Sequence, residues 1–320
     1  MILLGIIYLL TFPYSHLLQK KFSPFPLSFR KYIVTLPPRL PAASILWLDF
    51  IWNSMILNLL YVLICGIALP VGGVQMQYLW RNQLGDIYSL GLGSAACLGA
   101  AAATMSGWCS LTVGAFIAQG ICAVIVSLVA IRLNTSRLIT FGIIFGTFVG
   151  SLCTIVVTNA PTGDLLKQYY LWGAANFKLQ GVTAADIVIS LLLFASGLAT
   201  AFICANRLTR HYKGEIELSN ASKAFILFMI SVLVTSAVSI CGTVGFVSLA
   251  VPNLARVIVK PGDIRIQYGI SAIIGIALLM VTFVVVEYCN FGIYLPVSAT
   301  MALIALPLSI ILFRNPRTQE

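Results

Sequence analysis

Apolar runs of about 18–30 residues recur along the whole chain, separated by short polar links. A helix needs roughly 20 apolar residues to cross a hydrocarbon core of about 30 Å. The pattern predicts spans near residues 56–76, 87–106, 109–131, 138–158, 185–205, 223–241, 243–259, 267–288 and 296–313. A shorter apolar stretch at 1–15 brings the number to about ten. The runs lack the ten-residue alternation of barrel strands, and lipid tolerates only helices and closed barrels. The expected fold is an all-α polytopic membrane bundle, one domain over 1–320 with the topology of 1–45 left open.

One segment is out of step with the rest. In "GTVGFVSLAVPNLARVIVK", residues 242–260, the uninterrupted apolar run from Thr243 to Val251 has nine residues. That is about 14 Å of helix, half the bilayer core. Gly242 and Gly245 open it, and Pro252, Asn253 and Arg256 close it.

Composition narrows the class. Charged residues are 9% of the chain and hydrophobic ones 60%, whereas soluble domains carry about 25% charged residues. The net charge of +10 does not point to nucleic acid, because the basic residues are dispersed between apolar runs. With a cytoplasmic C-terminus, Arg81, Arg132, Arg137, Arg207, Arg210, Lys213, Lys260, Arg265, Arg314 and Arg317 fall inside. Only Lys167 and Lys178 fall outside over the same stretch, a positive-inside pattern. The basic residues between 20 and 39 break it if 1–15 spans once from the cytoplasm.

Candidate chemistry is sparse. No G-x-x-x-x-G-K-[ST] phosphate loop, HExxH or G-x-S-x-G occurs, which argues against an ATPase or hydrolase in this chain. The two histidines, His16 and His211, fall outside the spans and read as solvated loop residues. The eight cysteines form no CxxC or Cys/His cluster and read as small hydrophobes, with no metal site or cofactor. Few ionisable residues lie deep in the spans, unlike a proton-coupled transporter. A pathway here must be lined by apolar, small and hydroxyl side chains, with its energy supplied from outside the chain.

The stretch "GGVQMQYLWRNQLGDIYSLGLGSA" pairs a glycine-led helix end with a polar link and a small-residue helix start. Asp86 sits where a helix N-terminus favours an acid. This string resembles a motif of the binding-protein-dependent ABC permeases for iron–siderophore complexes, haem and vitamin B12, the FecCD type. Gly73, Gln77, Asn82, Asp86 and Gly91 carry the match, with Gln83 at the family's proline. The segment at 242–260 is similar to a second motif through Gly242, Gly245, Phe246, Pro252 and Arg256, with Ser248 at a glycine and Asn253 at a histidine. "LPVSATMALIALPLSIIL" resembles a third through Pro296 and Pro307, with Ser298 and Ala305 at two glycines. "NTSRLITFGIIFG" and "YYLWGAANF" complete five matches in order over about residues 70–313.

The resemblance implies a type II importer permease bundle in the bacterial cytoplasmic (inner) membrane. Two copies would form the pathway, two cytoplasmic ABC ATPases would dock beneath, and a solute-binding protein would deliver cargo, an iron chelate first. It implies pathway lining at Thr140, Gly142, Thr147 and Ser151, and at Ser298 and Thr300. Lys213, Gly214 and Glu215 match the start of the family's cytoplasmic loop, which is shortened here, and are expected to couple to the ATPase. Asp164, Lys167 and Trp172 are expected to meet the binding protein. Arg39 joins them through "RLPA", which stands about sixteen residues earlier than the family's R-L-P-R motif. The residues alone leave a secondary transporter or channel-like protein as the alternative.

Overall fold

The computed structural model describes residues 57–175, 182–259, 262–288 and 295–313. Arg39 and the 1–15 stretch lie outside them. Among the described residues the chain is all helical, with ten α-helices: α1 Leu57–Trp80, α2 Leu92–Ser106, α3 Leu111–Ala130, α4 Thr135–Thr158, α5 Gly163–Gly173, α6 Ala184–Tyr212, α7 Asn220–Cys241, α8 Val247–Ile258, α9 Ile264–Tyr288 and α10 Val297–Phe313. Six of them, α1, α3, α4, α6, α7 and α9, are long and apolar enough to cross a membrane. The helices α2, α8 and α10 are apolar but shorter.

Hydroxyl residues start the helices, because the first turn leaves backbone N–H groups without partners. Ser110 accepts from Val113 N–H at 3.3 Å and Ser219 from Ser222 N–H at 3.2 Å. Thr183 and Asp186 form a reciprocal capping box on α6, with Thr183 N–H donating to Asp186 at 2.9 Å.

Helices α1 and α7 form the centre. Most of each is buried, and each is apolar on all sides, as a helix surrounded by protein must be. Around them pack α3, α6, α8 and α9, with α2 against α3 and α4 against α2. Small residues set the spacing: Gly66 of α1 faces the backbone of Ile276 on α9, and Gly99 of α2 crosses Gly114 of α3 at backbone contact. The outer helices expose large apolar side chains, including Ile144 on α4, Ile203 on α6 and Ile273 on α9, a surface suited to lipid.

The largest differences from the sequence reading are these. The expected span 87–106 is two pieces, a 3-10 turn at Ile87–Leu90 and α2, broken at Gly91. Gly91 has φ +80°, and its Cα faces Gly146 of α4 so closely that a Cβ there would lie 2.9 Å from the Gly146 Cα. Helix α5 was not anticipated: eleven residues with polar positions interleaved do not register as a span. Helix α6 runs seven residues past its expected end, to Tyr212.

Candidate translocation and coupling site

The link between α1 and α2 begins with an unusual helix end. Arg81 has φ +50°, the left-handed conformation that glycine normally supplies. Arg81 N–H donates to Tyr78 O at 3.3 Å and Asn82 N–H to Gln77 O at 3.1 Å, the paired bonds of a Schellman end. A non-glycine residue pays about 1–3 kcal/mol for that conformation. The Arg81 side chain supplies compensation. Its guanidinium donates to His211 O at 2.8 Å and Ile216 O at 3.3 Å, and pairs with Glu217 at 2.8 Å.

His211 corrects the sequence reading. It is not solvated: it lies in the last turn of α6 and is 3% exposed. Its Nε2 is 3.2 Å from Leu79 O, one of the final carbonyls of α1 that lack a helical donor. With the proton on Nε2, Nδ1 is left to accept from Arg81 at 3.1 Å. Arg81 and His211 thus tie the C-terminal end of α1 to the 213–218 loop. Lys213, Gly214 and Glu215 sit exposed on that loop, and Glu215 pairs with Arg210 at 3.3 Å. Neither the spacing of Arg81 nor that of His211 in the sequence signals this contact.

Two sequence motifs meet at α8. Pro252 has no N–H to donate to the Ser248 carbonyl, one turn back. That carbonyl instead lies against Gly73 of α1, where any Cβ would overlap it. The Ser248 hydroxyl donates to Asp86 Oδ1 at 2.5 Å. Burial pushes the Asp86 carboxyl above its ordinary pKa, and the Ser248 hydrogen bond opposes that shift. Asn253 donates to Gln83 O at 3.3 Å and Leu249 O at 2.9 Å, and accepts from Arg256 at 3.1 Å. Gly73, Asp86, Pro252, Asn253 and Arg256 are therefore one junction between α1, the link and α8. Gln77 is fully buried nearby, and the described residues offer its amide no partner that explains it.

On α4 the hydroxyls form a stripe. Thr140, Thr147, Ser151, Thr154 and Thr158 follow one another by seven, four, three and four residues, so they share one helix face. All five are exposed, and each donates to the carbonyl four residues back. Beside the stripe lie exposed Ile144, Phe148 and Ile155, and the opposite face, Leu138, Val149, Cys153 and Val157, is buried. Gly142 belongs to the buried side, against Ser89 and Leu90. Thr154 and Thr158 escaped the sequence reading, although the three–four spacing was there to find them.

At the opposite end of the bundle from the 213–218 loop, the C-terminus of α5 gathers several elements. Thr243 donates to Gly173 O at 2.8 Å, Ser298 to Ala174 O at 2.8 Å, and Trp172 Nε1 to Ser239 O at 3.3 Å. Gly242 passes the Trp172 carbonyl at backbone contact with φ +79°. Trp172 and Ser298 are thus engaged in tertiary bonds, and Thr300 is 4% exposed with its hydroxyl on Pro296 O at 2.9 Å. Asp164 and Lys167 stay exposed near the start of α5. Phe246, with φ +68°, starts α8 and is half exposed. Beneath α5 a cavity of about 440 Å³ is lined by Tyr88, Ser94, Cys97, Thr154, Tyr169 and Thr243, among others. Pro296 stands just before α10 and Pro307 within it.

Comparison with known proteins agrees with this architecture. The FecCD transport family matches residues 27–315. The uncharacterized ABC transporter permease protein YvrB of Bacillus subtilis strain 168 is 26% identical over 290 residues, covering 85% of this chain and 81% of that protein. The cobalamin import system permease protein BtuC of Halobacterium salinarum is 28% identical over 262 residues, 78% of this chain and 69% of the relative. The vitamin B12 import system permease protein BtuC of Escherichia coli O9:H4 is 27% identical over 285 residues, 84% of each chain. A metal-chelate type ABC transporter solved in an inward-facing conformation shares the fold with TM-score 0.76 at 19% identity, over 88% of this chain and 91% of its own. PsaBC from Streptococcus pneumoniae, solved with a Fab, gives 0.62 at 15% identity, over 85% and 96%. Matched by the family over most of its length and built as the same apolar helix bundle, the chain belongs to the FecCD transport family and is a multi-pass membrane permease.

Proposed function

We propose that this chain is the membrane subunit of an ABC importer in the bacterial cytoplasmic membrane, moving a metal chelate such as an iron–siderophore, haem or cobalamin. The observation that carries the reading is the α4 face that stays exposed among the described residues, half hydroxyl and half aliphatic. In a second copy the same faces meet around a twofold axis, so that Thr140, Thr147, Ser151, Thr154 and Thr158 line a path between the copies. Hydroxyls already bonded to their own helix offer weak contacts. A large polar chelate can pass them without being held.

Energy comes from two ATPase subunits under the exposed Lys213–Glu215 loop, and cargo arrives on a binding protein at Asp164 and Lys167. The family match favours this arrangement over a secondary transporter, as does the BtuC naming of two relatives. The test is uptake into proteoliposomes of the permease with its cognate ATPase and binding protein. Labelled ferric siderophore, haem and cobalamin are supplied in separate arms. ATP-dependent uptake of one arm is the expected result; uptake that proceeds without any ATPase refutes the reading.

A further inference from the structure

Cys65 lies in α1 and Cys241 is the last residue of α7, 176 positions away. Their sulfurs are 2.8 Å apart, and both residues are buried, at 0% and 3% exposure. Non-bonded carbons rest about 3.5–4.0 Å apart, and sulfur is larger, so two independent thiols do not sit comfortably at this separation. A disulfide is about 2.05 Å long, and closing roughly 0.8 Å completes one. The two helices already pack against each other, so no element has to be brought in from elsewhere. By the distribution of basic residues, α7 ends toward the outer face, which is the oxidising side of a bacterial membrane.

We infer that Cys65 and Cys241 form an intramolecular disulfide that staples α1 to the outer end of α7. This departs from reading the cysteines as plain small hydrophobes. Two S–H bonds break and one S–S bond forms. The two protons and two electrons pass to a disulfide-class oxidant on the outer side, which is reduced to its dithiol through a mixed-disulfide intermediate. Both sulfurs are covered in the folded bundle, so the exchange takes place during assembly, before the neighbouring helices close over them. Once formed, the bond joins the two central helices covalently.

The inference concerns this chain alone, and its test does not involve transport. Membranes holding the wild-type protein are denatured in the presence of excess alkylating agent, digested and mapped by mass spectrometry with and without reductant. The expected result is a peptide pair joined through Cys65 and Cys241, lighter by two hydrogens than the separate thiol peptides and lost on reduction. In Cys241→Ser the pair is absent and Cys65 carries the alkyl label. Recovery of both cysteines as separately alkylated peptides from unreduced wild-type protein overturns the inference. If the variant does not accumulate, the two wild-type maps decide alone.

Discussion

Replacing Gly73 by alanine adds one methyl group to the centre of the bundle. On an isolated helix the change is favourable by about 1 kcal/mol, because alanine is the better helix former. Here the new Cβ overlaps the Ser248 carbonyl oxygen and lies 2.8 Å from its carbon and 3.0 Å from its Cα. Carbons normally rest about 3.5–4.0 Å apart, so the carbon contacts alone require α8 to shift by at least about 0.7 Å, and the overlapped oxygen requires more. Every neighbour in the way is backbone, which cannot rotate aside. Overpacking of this kind costs up to about 3 kcal/mol. After the gain in propensity, up to about 2 kcal/mol of destabilisation remains, before any loss of the Ser248–Asp86 hydrogen bond. At about 2–4 °C per kcal/mol, the apparent melting temperature falls by up to about 4–8 °C. Gly245 provides the control, since a Cβ there meets nothing within 4 Å and its φ is not positive. The assay is thermal unfolding of detergent-purified protein at one fixed scan rate, because membrane proteins commonly unfold irreversibly. Gly245→Ala should melt within about 1–2 °C of wild type, as surface changes usually do. If Gly73→Ala melts with or above wild type, the backbone contact between α1 and α8 is not what the glycine is for.

Other outcomes follow from the same geometry. Asn253→His should preserve transport, since an imidazole can donate to the Gln83 or Leu249 carbonyl and accept from Arg256; loss of uptake would mean that the amide is used differently. Asp86→Asn tests the buried carboxyl. A raised folded pKa means the carboxyl's contribution to stability is full below the ordinary carboxylate value and is lost as pH rises through the folded value, so the variant's melting temperature should gain on wild type as pH rises above about 4; a difference independent of pH contradicts this. Arg81→Lys keeps the charge but loses the fork that reaches His211, Ile216 and Glu217 together, so it should hydrolyse ATP with its partner at near wild-type rate while uptake falls several-fold; parallel loss of both activities refutes a coupling role. Thr147→Trp and Ser151→Trp should abolish uptake with little change in melting, whereas the alanine variants retain it; transport through the tryptophan variants removes the α4 stripe from the pathway.

The sequence alone determined the class of this protein and the order of its helices. Runs of apolar residues are local, and lipid permits one answer to them, so α1, α3, α7 and α9 could be read to within a few residues. The positions of Gly73, Asp86, Pro252 and Asn253 were likewise legible as motifs. Their purpose was not, because the junction joins residues up to 180 positions apart, and only the crossing of α1 and α8 shows that one motif's glycine receives the carbonyl freed by another's proline. His211 failed for a related reason: polarity at a helix end suggests water, yet here it serves the carbonyls of a neighbouring helix end. The hydroxyls of α4 lay in plain sight, but which face of the helix meets protein and which stays open is decided by the neighbours it packs against, and no pattern within the helix records that.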